Sequence, residues 1–384
     1  MRERLASVAL AIFLAAPGSA HPEDFSELAK NGAPRDVQAA IDNGANVNVP
    51  NPVLGTPLLA AAHYNMSAEV IRMLLTAGAD LNARSVEGWT PLIVAAGFNG
   101  NPGIAATLLD AGSNPNDRDA LGDTALMWAA LSSGSSQVIS ELVTSGADIK
   151  ARNSLGRTAL IYAALYNPEP RVITALLAAG ADISDQAGRG INLLMASARN
   201  PNADVALVAI NAGLDINATT DSGSTALMFA AENPNPQMVL TLVKAGADVN
   251  AATREGGTSL MKAASNSNPE VLARLIAAGA KISARAKDGS TALMYAAMGN
   301  PNVDITTTLL KAGADVNAQD EAGKNALMWA AMVNNNPQVV VALLEAGADA
   351  KRKDSSGLSA FDYAKENESI GGTEAYQRLR DAQY

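Results

Sequence analysis

Residues 223–250 read GSTALMFAAENPNPQMVLTLVKAGADVN, and close variants of this stretch recur every 33 or 34 residues. The threonine that opens its TALM core, or a residue that replaces it, occurs ten times. These positions are Thr56, Thr90, Thr124, Thr158, Asn192, Thr225, Thr258, Thr291, Asn325 and Ser359. A glycine that closes each repeat keeps the same interval, from Gly44 to Gly347. A fixed period of this length predicts a stacked array in which each repeat packs mainly on its neighbours.

Local signals within the stretch predict two helices per repeat. Thr225 is a favourable N-cap for a short helix over 226–231. The two Asn-Pro dipeptides at 233–236 end that helix, because proline interrupts a helix and is tolerated in the first turn of the next one. The second helix, over 238–244, closes at Gly246. The repeat is therefore helix–turn–helix, followed by an extended turn.

The two ends of the chain depart from this pattern. Residues 21–54 keep the second helix of the repeat but have a shorter, more polar first helix. Residues 353–384 end in a charged helix. Terminal repeats with a polar outer face are what a stacked array requires. We therefore expect an N-terminal capping repeat at 21–54, nine full repeats at 55–352 and a C-terminal capping repeat at 353–384.

The first twenty residues have the pattern of a secretory signal. Arg2 and Arg4 precede an apolar run over 5–16, and small residues follow up to Ala20. This order predicts a cleavable signal peptide at 1–20, with an uncleaved N-terminal membrane anchor as the alternative. The run is short for a bilayer span, so we expect no stable membrane insertion after the signal is removed.

Composition argues against several functional classes. The formal net charge is −10, whereas nucleic-acid binding needs clustered lysine and arginine. The chain has no cysteine, and His21 and His63 are its only histidines, so a nucleophile–base pair is hard to assemble. The stretch at 117–122 begins like a calcium loop, but Leu121 and Trp128 stand where oxygen ligands are needed. We predict no catalytic, cofactor-binding or metal-binding residues, and no enzyme activity.

The repeat resembles the ankyrin repeat, which has about 33 residues, opens its first helix with TPLHxAA and closes its second with GADVN. Thr56-Pro57-Leu58 and Thr90-Pro91-Leu92 match the opening, and residues 246–250 match the close. The resemblance covers the chain from residue 21 almost to its end. It implies an all-α ankyrin-repeat solenoid of stacked helix–turn–helix units joined by β-turn fingers, with capping repeats at both ends.

Two features differ from the family pattern. The family's histidine, which hydrogen-bonds between neighbouring repeats, is replaced by Leu, Ile or Met in every full repeat, so apolar junctions are expected. In the first full repeat, Leu54 stands where the turn glycine is expected.

One position, directly after that histidine position, is rich in aromatic residues. It holds Trp128, Tyr162, Phe229, Tyr295, Trp329 and Tyr363. Because the resemblance places first helices on a concave surface, these rings would form a ladder along a binding groove. The alternative is that the rings pack between adjacent repeats. Trp89 on a turn and Tyr166 at the end of a first helix are further candidates.

A second candidate surface lies at the turn tips. Arg84, Arg118 and Arg152 occupy the same position, six residues before the threonine, in three consecutive repeats. A row of basic residues on an acidic protein could steer a negatively charged partner. The alternative is a solvated tip whose arginines pair with Asp119 or Glu87.

These observations predict a non-catalytic scaffold or adaptor that binds a partner protein along a rigid groove, without cofactors. The expected location is the periplasm of a Gram-negative bacterium, and a secreted effector or inhibitor is the alternative. A spacer without a binding function is a third possibility. A capped array is expected to be a monomer. The identity of the partner does not follow from the sequence.

Overall fold

The computed structural model describes residues 25–132 and 136–383. The predicted signal peptide at 1–20 lies outside the described residues. Within them, 22 short α-helices alternate with tight turns, and the one sheet pairs β1 (Gln186–Ala187) with β2 (Ile191–Asn192) in antiparallel register. The all-α architecture predicted from the repeat is confirmed.

The helices occur in pairs, one pair per repeat. In chain order they are α1 (Phe25–Asn31), α2 (Pro34–Asp42), α3 (Pro57–Tyr64), α4 (Ala68–Thr76), α5 (Pro91–Phe98), α6 (Pro102–Asp110), α7 (Ala125–Leu131), α8 (Ser136–Thr144), α9 (Ala159–Tyr166), α10 (Pro170–Ala178), α11 (Leu193–Ser197), α12 (Asp204–Asn211), α13 (Ala226–Glu232), α14 (Pro236–Lys244), α15 (Ser259–Ala264), α16 (Pro269–Ala277), α17 (Ala292–Gly299), α18 (Val303–Lys311), α19 (Ala326–Val333), α20 (Pro337–Glu345), α21 (Ala360–Ala364) and α22 (Glu374–Asp381).

The chain divides into two compact units, which are described separately. The first combines Met1–Ala163 with Arg171–Asp182, and the second combines Ala164–Pro170 with Ile183–Tyr384. In the first unit, the first helices α1, α3, α5 and α7 pack in one row and the second helices α2, α4, α6 and α8 in another. The second unit has the same two layers, with α11, α13, α15, α17, α19 and α21 in one row.

Side-chain caps set the start of most helices. Thr124 Oγ1 accepts from the amide of Met127 at 3.4 Å, and Asn325 Oδ1 accepts from that of Met328 at 2.9 Å. Thr225, predicted to act in the same way, does not: no side-chain cap forms, and its carbonyl instead accepts from the Met228 amide at 3.1 Å. The backbone therefore starts α13 with a tighter first turn.

Glycine ends the second helices as expected. Gly246 has a φ of +93°, its amide donates to the Val243 carbonyl, and the Ala247 amide donates to that of Leu242. These two bonds form the Schellman motif, which satisfies carbonyls that the helix end leaves free.

The turn that precedes each first helix, exemplified by residues 252–258, forms a finger whose ends pair across Ala252 and Thr258. Successive fingers are joined through the backbone: the Lys287 amide donates to the Glu255 carbonyl at 2.9 Å. Gly256 has a φ of +80°, and a Cβ there would lie 2.9 Å from Ala286 Cα, so this turn requires glycine. In the first full repeat, Gly55, not position 54, takes the positive φ, +74°.

The junctions between repeats are apolar at the position of the family's histidine, as predicted. Its occupants are all buried: Leu59, Ile93, Met127, Ile161, Met195, Met228, Met261, Met294 and Met328. Each such side chain contributes roughly 1.5–3 kcal/mol by leaving water.

The junctions are nevertheless not purely apolar, because a series of asparagines joins consecutive repeats, and all of its members except the half-buried Asn367 are buried. Asn266 shows the geometry: its Nδ2 donates to the carbonyls of Ala231 at 2.9 Å and Asn233 at 3.0 Å in the preceding repeat. The series has these members with the same type of bond: Asn65, Asn99, Asn200, Asn233, Asn266, Asn300, Asn334 and Asn367. Asparagine at the end of the first helix thus supplies the inter-repeat bonds that the missing histidine would make.

Candidate functional site

The aromatic position lies on the first helices, and its members differ in burial. Trp128 and Tyr162 are buried, with 7% and 2% of their surface exposed. Phe229, Tyr295 and Trp329 are half-buried. Trp128 and Tyr162 therefore fit the alternative in which the rings pack between repeats, whereas Phe229, Tyr295 and Trp329 are partly exposed to solvent. Their role in binding remains a prediction.

Most of the polar groups on these rings form a hydrogen bond with a finger residue nine positions earlier in the sequence. Trp128 Nε1 donates to Asp119 Oδ2 at 3.0 Å, and Trp329 Nε1 donates to Asp320 Oδ2 at 2.9 Å. The other oxygen of Asp119 accepts from the amides of Leu121 and Asp123 in its own finger. Each aspartate therefore fixes its finger and clamps that finger to the first helix.

Tyr162 is held by a pair of polar groups. Its hydroxyl donates to Asp123 Oδ2 at 3.0 Å and accepts from Asn153 Nδ2 at 3.0 Å, while Asn153 Nδ2 also donates to Asp123 Oδ1 at 2.7 Å. Burial raises the pKa of Asp123, and these hydrogen bonds act in the opposite direction. The network keeps a buried carboxylate fully bonded.

In four repeats, an Asp or Asn in the finger precedes a Trp or Tyr at the aromatic position by nine residues. Asp or Asn at 119, 153, 320 and 354 goes with Trp or Tyr nine residues later, and Tyr363 donates its hydroxyl to Asp354. Thr220, Thr253 and Ala286 go instead with Phe229, Lys262 and Tyr295. Sequence reasoning missed this relation, although the spacing of nine is visible in the sequence.

In the first unit, five rings form a continuous aromatic cluster: Tyr64, His63, Phe98, Trp89 and Trp128. The centroids of His63 and Tyr64 are stacked at 3.9 Å, and Phe98 lies 5.0 Å from His63 and 5.2 Å from Trp128. Trp89 lies 5.3 Å from both Phe98 and Trp128. The structure thus brings together Trp89 and Trp128, which were predicted, with Phe98, His63 and Tyr64, whose helical spacing from the aromatic position was the signal.

His63 is neutral at physiological pH. Burial, and secondarily the positive charge of Lys30, lower its pKa to about 4. Lys30 lies 5.0 Å from the Tyr64 centroid, and burial raises the pKa of Tyr64. The rings of His63 and Tyr64 are therefore uncharged and half-buried, which are the properties of residues that anchor a protein interface.

In the second unit, the corresponding face mixes rings with charges. The Arg199 guanidinium lies 4.5 Å from the Phe229 centroid, and Glu232 pairs with Arg199 at 3.6 Å and with Lys262 at 3.0 Å. Lys262 occupies the aromatic position itself. The predicted ladder is therefore interrupted in this unit by a charged network.

Two depressions lie on the same face of the second unit, where the residue just before the threonine position is small. One, of about 880 Å³, is lined by Ser224, Gly257, Lys262 and Tyr295 among others. The other, of about 300 Å³, is lined by Ser290, Tyr295 and Trp329 among others. In the first unit the same position holds Gly55 in one repeat and the larger Trp89, Asp123 and Arg157 in the next three.

The turn-tip arginines bond mainly to the backbone. Arg84 donates to the carbonyls of Gly88 at 3.0 Å and Arg118 at 2.9 Å, and Arg118 donates in turn to those of Gly122 and Arg152. Arg152 donates to the Gly156 carbonyl. Arg84 also pairs with Asp117 at 3.2 Å, not with the predicted Asp119 or Glu87, because Asp119 is engaged by Trp128. The exposed arginines therefore also link successive fingers.

Tyr166, the remaining predicted residue, lies at the end of α9 in the second unit and is half-buried. Within residues 25–132 and 136–383, no three His, Asp or Glu side chains converge in a way that could hold a metal ion. Across the same residues, no helix has the length and apolar character needed to cross a bilayer.

The period, the paired helices and the fingers lead to one family. The family model described as "Ankyrin repeats (3 copies)" matches residues 25–119, 98–187, 164–253, 260–354 and 302–372. The chain belongs to the ankyrin-repeat family. Proteins built from ankyrin repeats typically mediate protein binding, and the family is typically non-catalytic. No curated protein sequence matches the chain.

Proposed function

We propose that this ankyrin-repeat protein is a non-catalytic scaffold or adaptor of the bacterial periplasm, which binds a partner protein through its first-helix face and finger tips. The observation that carries the proposal is the aromatic cluster of the first unit. Its rings lie against one another at centroid distances of 3.9–5.3 Å, and all of them except Trp128 are half-buried. Such rings bury a large apolar area on binding and lose little conformational freedom, which favours affinity.

The periplasmic location is supported by the sequence of residues 1–20 and by the absence of cysteine, which makes the chain independent of redox conditions. A secreted effector or inhibitor would use the same surface on an external target. Cell fractionation, with mass determination of the purified chain, tests the location. Recovery in the periplasmic fraction with cleavage after Ala20 is expected, and an uncleaved cytoplasmic chain would contradict it.

Chemical crosslinking and affinity capture in the source organism test the interaction, with the full-length chain tagged at its C-terminus. The binding variant is Trp89→Ala with Phe98→Ala, because both rings are half-buried and neither is tied to a finger aspartate. A partner that the unmodified chain captures and the folded variant loses is the expected result.

The matched control is Leu207→Ala, which removes a partly exposed apolar side chain from the second-helix layer. Capture should be unchanged in this control. Equal capture by the unmodified chain and both variants would show that the interface lies outside the aromatic cluster. A spacer role would instead be indicated if the ring variant changed stability while no chain captured a specific partner.

A further inference from the structure

The junction between the last two repeats of the second unit contains a cation site that the chain's own Lys324 fills. Lys324 Nζ lies 5.3 Å from the centroid of the Trp329 ring and 5.4 Å from that of Tyr363. It is also 3.8 Å from Asp354 Oδ2, and both side chains are largely shielded from solvent. Two aromatic rings and a carboxylate on consecutive repeats thus enclose one ammonium group, an arrangement that stabilises a cation through the ring quadrupoles and direct charge.

The same arrangement recurs 34 residues earlier, without the cation. Ser290 stands at the position of Lys324, Tyr295 at that of Trp329, Trp329 at that of Tyr363, and Asp320 at that of Asp354. These four residues line the depression of about 300 Å³, together with Met294, Met298 and the acidic rim residues Asp288 and Glu321. The lysine side chain that fills the later junction is therefore missing from an otherwise equivalent site.

The charges around this depression favour a cation. Asp288 and Glu321 are exposed at its rim, and the Asp320 carboxylate accepts from Trp329 Nε1 and from the Lys324 amide. No basic residue lines the depression among the described residues, and basic residues close to it in sequence have partners. Lys324 pairs with Asp354, Lys287 pairs with Glu255, and Arg285 donates to the Gln319 carbonyl. An anionic ligand would meet carboxylates here, and an apolar one would desolvate them without compensation.

We propose that this depression receives a lysine side chain of the partner protein, held between Tyr295 and Trp329 and paired with the acidic rim. The inference deepens the proposed function, on which it rests, by assigning a basic segment to the bound partner. Lysine fits because its four-carbon stem can lie along Met298 while the ammonium reaches the rings. Lys324 shows that this fold accommodates such a side chain at the equivalent place.

The test is a titration followed by the three indole N–H resonances in a ¹H–¹⁵N spectrum of the full-length protein. The probe is acetyl-Gly-Lys-Gly-amide, and the comparison peptide has norleucine in place of lysine, at matched ionic strength. A saturable shift of the Trp329 indole is expected with the lysine peptide, with a dissociation constant on the order of millimolar for a single side chain. Trp89 and Trp128, which lie in the first unit, are internal references that should not move.

Two variants make the result decisive. Ser290→Lys fills the depression from within and should abolish the Trp329 shift. If that variant fails to fold, Asp288→Asn with Glu321→Gln removes the two rim charges, retains a side-chain oxygen at residue 288 that can accept from the Ser290 amide, and should weaken binding of the lysine peptide several-fold. The proposal is overturned by absence of a saturable shift, by an equal shift with norleucine, or by a shift that neither variant diminishes.

The titration uses no natural partner, so its outcome is separable from the capture experiment. If the lysine peptide does not bind but a partner is still captured through the aromatic cluster, only the inference of a lysine site is removed. A saturable lysine shift with no captured partner would leave the depression as a cation site and remove the scaffold function proposed above.

Discussion

The first-helix faces of the two compact units are built from one repeat but have opposite chemistry. In the first unit the rings of residues 63, 64, 89, 98 and 128 contact one another, and in three of its repeats the position before the threonine holds Trp89, Asp123 or Arg157. In the second unit that position is small only at Ser224, Gly257 and Ser290, and the face opens into two depressions there. The size of the residue at this position therefore goes with a closed aromatic surface in the first unit and with an open, charged one in this part of the second.

This difference also separates packing rings from exposed rings. Trp128 is buried within the closed face, whereas Trp329 has the same bond to its finger aspartate but borders an open depression. The indole hydrogen bond is thus the same in both repeats, and the surrounding residues determine how far the ring is exposed to solvent. Substitutions at equivalent positions in the two units can separate the stability contribution from the binding contribution.

The largest expected effect is at the buried tryptophan. Trp128→Ala should destabilise the first unit by about 3–5 kcal/mol, because it creates a cavity and leaves Asp119 without the indole donor. Trp329→Ala in the second unit should cost only about 1–3 kcal/mol, because its ring is already half-exposed. Urea denaturation followed by circular dichroism measures both. Equal losses at the two sites would contradict the difference in packing.

The second effect concerns the asparagine series, which runs unbroken from Asn200 to Asn367 in the second unit. In the first unit Ser133 stands at the equivalent position of the repeat whose first helix is capped by Thr124, and it lies outside the described residues. Asn266→Ser places the same residue type in the second unit and should cost about 2 kcal/mol, because two buried carbonyls lose their donor.

The control for the asparagine series is Asn268→Ser, which keeps a good N-cap and removes an exposed bond to the Pro234 carbonyl. This change should cost less than about 1 kcal/mol in the same denaturation assay. A loss as large as that of Asn266→Ser would show that burial does not set the strength of the series.

The third effect is a histidine-linked pH dependence, which belongs to the first unit because His63 lies there and the second unit contains no histidine. The native pKa of about 4 lies below the ordinary 6.5, so the unfolded chain binds the proton first as pH falls. Stability is therefore retained above pH 6.5 and lost progressively between 6.5 and 4. After discounting for partial exposure, the loss at pH 5 should be about 1 kcal/mol.

Thermal unfolding at pH 7 and pH 5 measures this effect, and His63→Gln should remove most of the difference in the first unit. Retention of the full difference in the variant would assign it to carboxylates instead.

The smallest effect is at the filled cation site. Lys324→Ser copies Ser290 into the next repeat and should cost about 1 kcal/mol, because the cation–π contacts and the ion pair to Asp354 are lost. Lys287→Ser, which removes an exposed lysine paired with Glu255, is the control and should change unfolding by less than about 0.5 kcal/mol. The two midpoints of chemical denaturation compare them directly, and equal midpoints would argue against an enclosed ammonium.

Much of the fold follows from particular residues in the sequence. The Thr–Gly register fixes two helices per repeat, because N-caps, Asn-Pro breaks and closing glycines act within a few residues of one another. The apolar residues at the histidine position predict buried junctions for the same reason. Thr225 shows where local rules fail, since its backbone starts the helix without the side-chain cap.

The sequence by itself therefore determined the repeat, its helices, its family and the positions at which rings and arginines stand. Only the tertiary structure decided which of these rings are buried, that Asn266 and its equivalents join the repeats, and that Lys324 fills a site that Ser290 leaves open. The physical reason is the separation along the chain of the residues that interact. Caps and turns depend on neighbours in the chain, whereas burial and cation–π contacts depend on residues about 34 positions away, whose side chains meet only when the repeats are stacked.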